Sequence, residues 1–182
     1  MRCPLKYDFT NKILEDQNEK VVLYQSVLES VVIDEINTYF SLIEGRKVIC
    51  GIENISWTEK EIKKEDPMFN YIFNSDLREH FKYLSSFEAD SFVKIWASIY
   101  NESEFINPHK DRSGNYQALL CIANTENKEN GNLFLEIDRK NKEIHLEKGD
   151  MIFFDASKVR HYTTPTKDKK TNRTTLAIRT YK

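Results

Sequence analysis

Three side chains in the second half of the chain have the types and spacing to hold a metal ion: His109, Asp111 and His161. In His109-Lys110-Asp111 an imidazole and a carboxylate stand at i and i+2. On an extended segment they project to one face, about 6.6 Å apart along the chain, so both tips can converge on one ion. His161 follows Gly149-Asp150-Met151-Ile152-Phe153-Phe154-Asp155, which reads as a turn, a strand and a loop able to carry a third ligand back over a sheet. Two imidazoles and one carboxylate on one face leave the other coordination positions open, an arrangement that suits Fe(II).

Downstream, a charged turn at residues 167–170 leads into Asn172-Arg173-Thr174-Thr175-Leu176-Ala177-Ile178-Arg179. In an extended strand Arg173, Thr175, Ala177 and Arg179 share one face, and Leu176 and Ile178 lie on the other. An Arg with a hydroxyl two residues on offers a planar fork plus one further donor, which suits a single carboxylate. A buried guanidinium without an anion is costly, so an inward Arg implies a partner, and a dicarboxylate co-substrate is a natural one.

Other residues near these are read both ways. Arg179 either faces the pocket and meets substrate or pairs with a surface carboxylate. Arg112, Asn115 and Arg160 neighbour the candidate ligands and either recognise substrate or are simply solvated. His80, in an amphipathic helix, and His145, in Glu143-Ile144-His145-Leu146-Glu147, read as structural. Asp150 and Asp155 sit in loop and turn settings that favour capping or solvation. Trp57 and Trp96 read as core or pocket wall.

The elements that must position these groups follow from apolar periodicity. Residues 21–43 carry apolar side chains close to a 3.6 period and predict a packed helix stopped at Gly45. Residues 47–55 predict a strand, 57–65 a polar and charged connection punctuated by Pro67, and 76–87 a second, shorter helix. After Asp90 the chain turns aromatic and β-rich. Strands are predicted at 92–100, 117–123, 132–137, 143–146, 151–155 and 174–180, separated by Asn107-Pro108, Ser113-Gly114, Asn130-Gly131 and Gly149-Asp150. Many short, regularly spaced strands indicate a sandwich or jelly roll.

Composition agrees with an ordinary globular protein. Of 182 residues, 40% are hydrophobic and 31% charged, and 12% aromatics with only five glycines argue against disorder. With 27 basic against 29 acidic residues the chain lacks the basic footprint of a nucleic-acid binder. Cys3, Cys50 and Cys121 are distant and odd in number, forming neither a disulfide framework nor a CxxC metal site. The first residues carry no apolar signal region and no stretch is long enough to span a membrane. A cytoplasmic protein with no membrane association is expected.

Residues 92–182 resemble the 2-oxoglutarate/Fe(II)-dependent dioxygenases, particularly the prolyl-hydroxylase-like branch. The resemblance rests on an ordered set: His109-x-Asp111, then His161, then Arg173-x-Thr175. Tyr100 is similar to the tyrosine that lines the co-substrate pocket in that family. Asn130-Gly131-Asn132-Leu133 resembles its "GG-x-L" strand entry, with the second glycine absent, and Lys148-Gly149-Asp150-Met151-Ile152-Phe153-Phe154 resembles its "p-G-d-l-v-f-F" strand. The strand at 118–123 lacks a tyrosine that some relatives use to hold 2-oxoglutarate, so that contact falls to Tyr100 or Thr175. Residues 1–90 carry no such resemblance.

The resemblance implies a mainly β protein with helices (α+β), a double-stranded β-helix, or jelly roll, flanked by N-terminal helices. With no linker or internal repeat marking a boundary, one domain is expected over 1–182, with 1–90 as helical support and first strands and 91–182 as the core. His109, Asp111 and His161 would hold Fe(II), while Arg173, Thr175 and Tyr100 would hold 2-oxoglutarate. With O2 these would hydroxylate a C–H bond of a small molecule, such as an amino acid, or of a peptide or protein side chain, releasing succinate and carbon dioxide. Arg112, Asn115 and Arg179 are the candidate substrate contacts. Asp111 argues for oxygenation, since related halogenases resemble the pattern with a small residue there. Two other functions remain: a cupin-like metal-binding or ligand-sensing protein without turnover, which would not need Arg173-x-Thr175, and a nucleic-acid base demethylase of the same superfamily, whose two-arginine strand the spacing of Arg173 and Arg179 resembles.

Overall fold

Alternation along the strands sorts the apolar side chains into two cores. Val22 and Tyr24 pack with one cluster while Val21 and Leu23 pack with the other. Leu176 and Ile178 fall in the first and Ala177 in the second. Such sorting needs a sheet covered on both faces, and the computed structural model has one. It describes residues 5–18, 20–51, 55–85, 92–112, 116–124, 131–167 and 172–181. Cys3, Ser113-Gly114, Asn115, Asn130 and residues 168–170 lie outside the described residues.

The main sheet is formed by β1 (Lys12–Asp16), β2 (Val21–Tyr24), β3 (Arg46–Ile49), β4 (Ser56–Ile62), β5 (Phe92–Tyr100), β6 (Tyr116–Ala123), β9 (Met151–Asp155) and β11 (Arg173–Tyr181), in the order β1-β2-β9-β6-β11-β5-β4-β3. The smaller sheet is β10-β7-β8, from β7 (Leu133–Ile137), β8 (Lys140–Ile144) and β10 (His161–Thr163). The strand pairings in both sheets are antiparallel. The two sheets face each other across Leu119, Leu135, Ile144, Ile152, Phe154 and neighbours, making the jelly-roll core. Helices α1 (Ser30–Leu42), α2 (Pro67–Ile72) and α3 (Ser75–Leu84) cover the outer face of the main sheet. Their buried residues recur at helical spacing: Ile33, Ile36 and Phe40 in α1, Leu77 and Phe81 in α3. Asp66 and Asn74 cap α2 and α3 by accepting from the Met68 and Leu77 amides. Among the described residues no helix is long and apolar enough to cross a membrane.

The first half departs from its expected outline: β1 and α2 are not among the expected elements, Pro67 opens a helix, the strand expected at 47–55 is β3 and ends at Ile49, and two stretches change type. Residues 21–43 are not one helix: Val21–Tyr24 is a strand and the helix begins at Ser30. All four residues of β2 are buried because the strand has a core on each face. A short unbroken apolar run of this kind does not distinguish strand from helix by periodicity. Residues 57–65 are not a connection, since Ser56–Ile62 is β4. Its polarity reflects what it faces: Trp57 and Glu59 line an open cavity while Ile62 joins the helix-side core. The first half thus supplies β1 and β2 to one edge of the main sheet and β3 and β4 to the other. From β5 onward the expected strands agree with the observed ones to within a few residues, with β10 as an addition.

Candidate metal centre

His109 and His161 exchange backbone hydrogen bonds in both directions, at 3.0 and 2.9 Å. In an antiparallel bridge, directly opposed residues project to the same side, and the two ring centroids are 4.3 Å apart. β10 carries His161 into register with Leu135 of β7, so the small sheet holds one imidazole over the main sheet. Asp111 follows two residues after His109 and donates its backbone N–H to the Ala156 carbonyl at 2.9 Å. The ligand atoms of His109, Asp111 and His161 all lie within 4.8 Å of one another, a group that could hold a metal ion.

Both imidazoles turn Nδ1 to a backbone carbonyl. His109 Nδ1 is 2.7 Å from the Asn107 carbonyl and His161 Nδ1 is 3.0 Å from the Val159 carbonyl. A carbonyl only accepts, so each Nδ1 donates and Nε2 is the atom each ring has left to offer a metal. Those Nε2 atoms lie 3.8 Å from Asp111 Oδ1 and 3.6 Å from Asp111 Oδ2 respectively. These separations are too long for hydrogen bonds and suit atoms arranged around a shared cation. Burial, with repulsion from His109, pushes His161 down to about 3, so the ring is neutral and ready to ligate. Burial pushes the Asp111 carboxyl up, while Arg179 and His109 pull the other way. Asp111 Oδ2 lies 2.6 Å from Arg179 Nη2 but meets no donor along a hydrogen-bonding direction.

The three groups open into a cavity of about 510 Å³, in the range of small-molecule sites. Arg173, Thr175, Ala177 and Arg179 of β11 line it from one face of the strand, alongside Ser98 and Tyr100 of β5 and Gln117 and Leu119 of β6. Arg173 is paired with Tyr100 in register, and its Cζ stands 4.6 Å over the phenol ring. Its Nη1 donates to the Gly131 carbonyl at 2.5 Å, and its Nε is buried with no partner. Burial pushes the guanidinium down, and the groups that oppose the shift are Tyr100 and Cys121 rather than a carboxylate. An arginine buried this way, with Nε unpaired, could receive an anion from outside. Burial likewise raises the Tyr100 phenol, with Arg173 pulling it back.

Gly131 is needed where it stands. Its φ is +72°, and a Cβ there would come 2.9 Å from Thr166 Cγ2, displacing the carbonyl that holds Arg173.

The remaining candidates separate. Arg112 is exposed at the rim of the cavity, and Arg160 is exposed and 4.0 Å from Glu136. Arg179 is turned onto Asp111. Trp57 and Trp96 are cavity walls. His145 Nδ1 contacts Asn132 Oδ1 at 3.1 Å, and His80 stacks on Phe9 at 3.7 Å; both lie apart from the cavity. Asp150 caps, accepting from the Ser26 and Glu147 amides, and Asp155 accepts from Ser157. Gln117 is the functional-looking residue that sequence reasoning passed over. Its signal was parity, since it shares the inward face of β6 with Leu119 and Cys121.

No protein-family model matches this chain, and no curated protein matches it in sequence. Solved structures match it closely in shape. An oxidoreductase of the 2OG-Fe(II) oxygenase family from Burkholderia pseudomallei superposes with a TM-score of 0.73 at 10% identity, over 99% of this chain and 96% of that one. A prolyl hydroxylase from Trichoplax adhaerens, in complex with a peptide fragment of the hypoxia inducible factor oxygen degradation domain, gives 0.70 at 13% identity, over 90% and 84%. HygX from Streptomyces hygroscopicus, with nickel and 2-oxoglutarate bound, gives 0.70 at 9% identity, over 90% and 83%. The chain has the fold of these oxygenases.

Proposed function

We propose that this chain is a 2-oxoglutarate- and Fe(II)-dependent dioxygenase that hydroxylates a C–H bond of a small molecule or of a peptide or protein side chain. The observation that carries the reading is the co-location, in one cavity, of a His-Asp-His group and a fully buried arginine with an unpaired donor. The shared fold supports it, as do neighbours whose structures hold nickel and 2-oxoglutarate or a peptide.

In this reading His109, Asp111 and His161 are the metal ligands and the catalytic centre. The two imidazoles bind through Nε2, each fixed by a carbonyl behind it. Fe(II) held there supplies oxidation by O2 coupled to decarboxylation of 2-oxoglutarate to succinate and carbon dioxide. Arg173 receives the far carboxylate of the co-substrate on its spare donor, with Thr175 and Tyr100 beside it. Both groups line the same cavity, so in this reading one dicarboxylate would reach from the metal to Arg173 and be oriented by both. Leu119, Leu133 and Ala177 add apolar wall to the cavity, which would help to keep water from the reacting centre. Among the residues lining the cavity, Asn107, Lys110 and Arg112 are exposed, and substrate would approach the centre past them.

A cupin-like sensor without turnover would need the three ligands but not a buried arginine with a vacant donor. The test is succinate release with Fe(II) and 2-oxoglutarate across free amino acids and peptides, with mass spectrometry watching for the gain of one oxygen atom. Asp111→Ala is expected to abolish succinate release; unchanged turnover would sink the assignment of the triad.

A further inference from the structure

Asp111 stands outside the named strands, yet its carboxylate is held from the floor of the main sheet. Arg179 Nη2 reaches Asp111 Oδ2 at 2.6 Å, and both side chains are only 14% exposed. The guanidinium is fixed at two further points. Its Nε donates to Gln117 Oε1 at 2.7 Å, and its Cζ stands 4.9 Å over the Trp96 ring. Gln117 is 2% exposed and lies directly opposite Arg179 in the pairing of β11 with β6. The Trp96 indole N–H is in turn tied to the Ser98 hydroxyl at 3.1 Å. Each group gripping Arg179 from below therefore comes from β6 or β5, the two neighbours of β11 at the centre of the sheet.

We infer that Arg179 is a positioning residue for the metal centre: it holds Asp111 by Oδ2 so that Oδ1 alone is presented to the ion. The inference rests on the reading of His109, Asp111 and His161 as metal ligands. A carboxylate free to turn can engage a cation through both oxygens and so fill two coordination positions. With Oδ2 retained by the guanidinium, one more position stays open for co-substrate and oxygen. With Nε hydrogen-bonded to Gln117 and Nη2 in ion-pair contact with Asp111, a substrate anion would have to compete with both, which sets Arg179 apart from the substrate contacts. Two effects oppose each other in ion binding. The guanidinium charge repels a cation, whereas the orientation it imposes on Asp111 favours one. Removal of outer-shell partners of metal ligands typically weakens metal binding by about 10–100-fold, so orientation is expected to win.

The experiment titrates the metal-free full chain with Mn(II) by calorimetry, for the wild type, Arg179→Met, Arg179→Lys and Gln117→Leu, with thermal unfolding as a control for folding. The ligand-field spectrum of each Co(II)-loaded protein reports the coordination of the ion without any turnover. Arg179→Met is expected to bind Mn(II) about tenfold or more weakly, with a changed Co(II) spectrum. Arg179→Lys keeps the charge and should recover part of the affinity. Gln117→Leu loosens the guanidinium and should weaken binding less than Arg179→Met does. If Arg179→Met fails to fold, Arg179→Lys and Gln117→Leu carry the comparison, and wild-type behaviour in both overturns the inference. Wild-type affinity and spectrum in folded Arg179→Met overturn it alone. A wild type that binds neither Mn(II) nor Co(II) overturns the metal site and the inference with it.

Discussion

A guanidinium enclosed by Tyr100, Cys121 and the Gly131 carbonyl, with Nε unpaired, is costly to the folded protein in the absence of an anion. That cost sets up opposite effects on stability and on binding. Arg173→Met keeps most of the side-chain volume and removes the uncompensated charge. Metal-free Arg173→Met is therefore expected to melt no lower than the wild type. Its affinity for 2-oxoglutarate should fall roughly 30-fold or more, because losing one partner of a buried charged pair costs about 2–5 kcal/mol. Thermal unfolding without metal and calorimetric titration of the Mn(II)-loaded protein measure the two halves. A variant with a lower melting temperature and unchanged affinity would make Arg173 structural.

Among the elements, α3 makes the folded state sensitive to acid. His80 on this helix is stacked on Phe9 at 3.7 Å and 8° and packs edge-on to Tyr24 and Phe153. Its Nε2 is buried without a partner, and burial pushes the imidazole down to about 4. Unfolded, the same group titrates near 6.5, so the unfolded chain binds the proton first. The stabilisation is fully present above about 6.5 and is lost as pH falls toward about 4. The melting temperature of the metal-free protein should drop between pH 7 and pH 5, and His80→Phe should flatten that slope. His161 shifts in the same direction, so part of the slope remains in the variant. Identical pH profiles would remove His80 as the cause.

At the scale of the whole molecule, strands from distant parts of the chain meet around one cavity. β4 brings Trp57 and β5 brings Trp96, the two tryptophans of the chain, and both line it. Trp57 is stacked on Tyr100 at 6.4 Å, and Tyr100 lies under Arg173. Tryptophan emission should therefore report occupancy at the Arg173 end. Adding 2-oxoglutarate to the Mn(II)-loaded protein is expected to change emission saturably, and Arg173→Met should shift the midpoint to higher concentration. A wild-type signal indifferent to 2-oxoglutarate would count against co-substrate binding beside Tyr100.

What the sequence determined by itself was parity and order. The i, i+2 spacing of His109 and Asp111, and the shared face of Arg173, Thr175, Ala177 and Arg179, follow from the two-residue period of extended chain and hold in the structure. The strands at 92–100 and 151–155 were legible for the same reason, because one or both faces meet a core. Tertiary structure decided which residues meet across strands. That Val21–Tyr24 is a strand depends on the second core laid against it, and that Ser56–Ile62 is one depends on a cavity that tolerates Glu59. The grip of Arg179 on Asp111, the anchoring of Arg179 by Gln117, and the cradling of Arg173 by Gly131 join residues 42 to 68 positions apart. Local periodicity carries no information on such pairings, because they are set by strand register and by the way the small sheet folds over the large one.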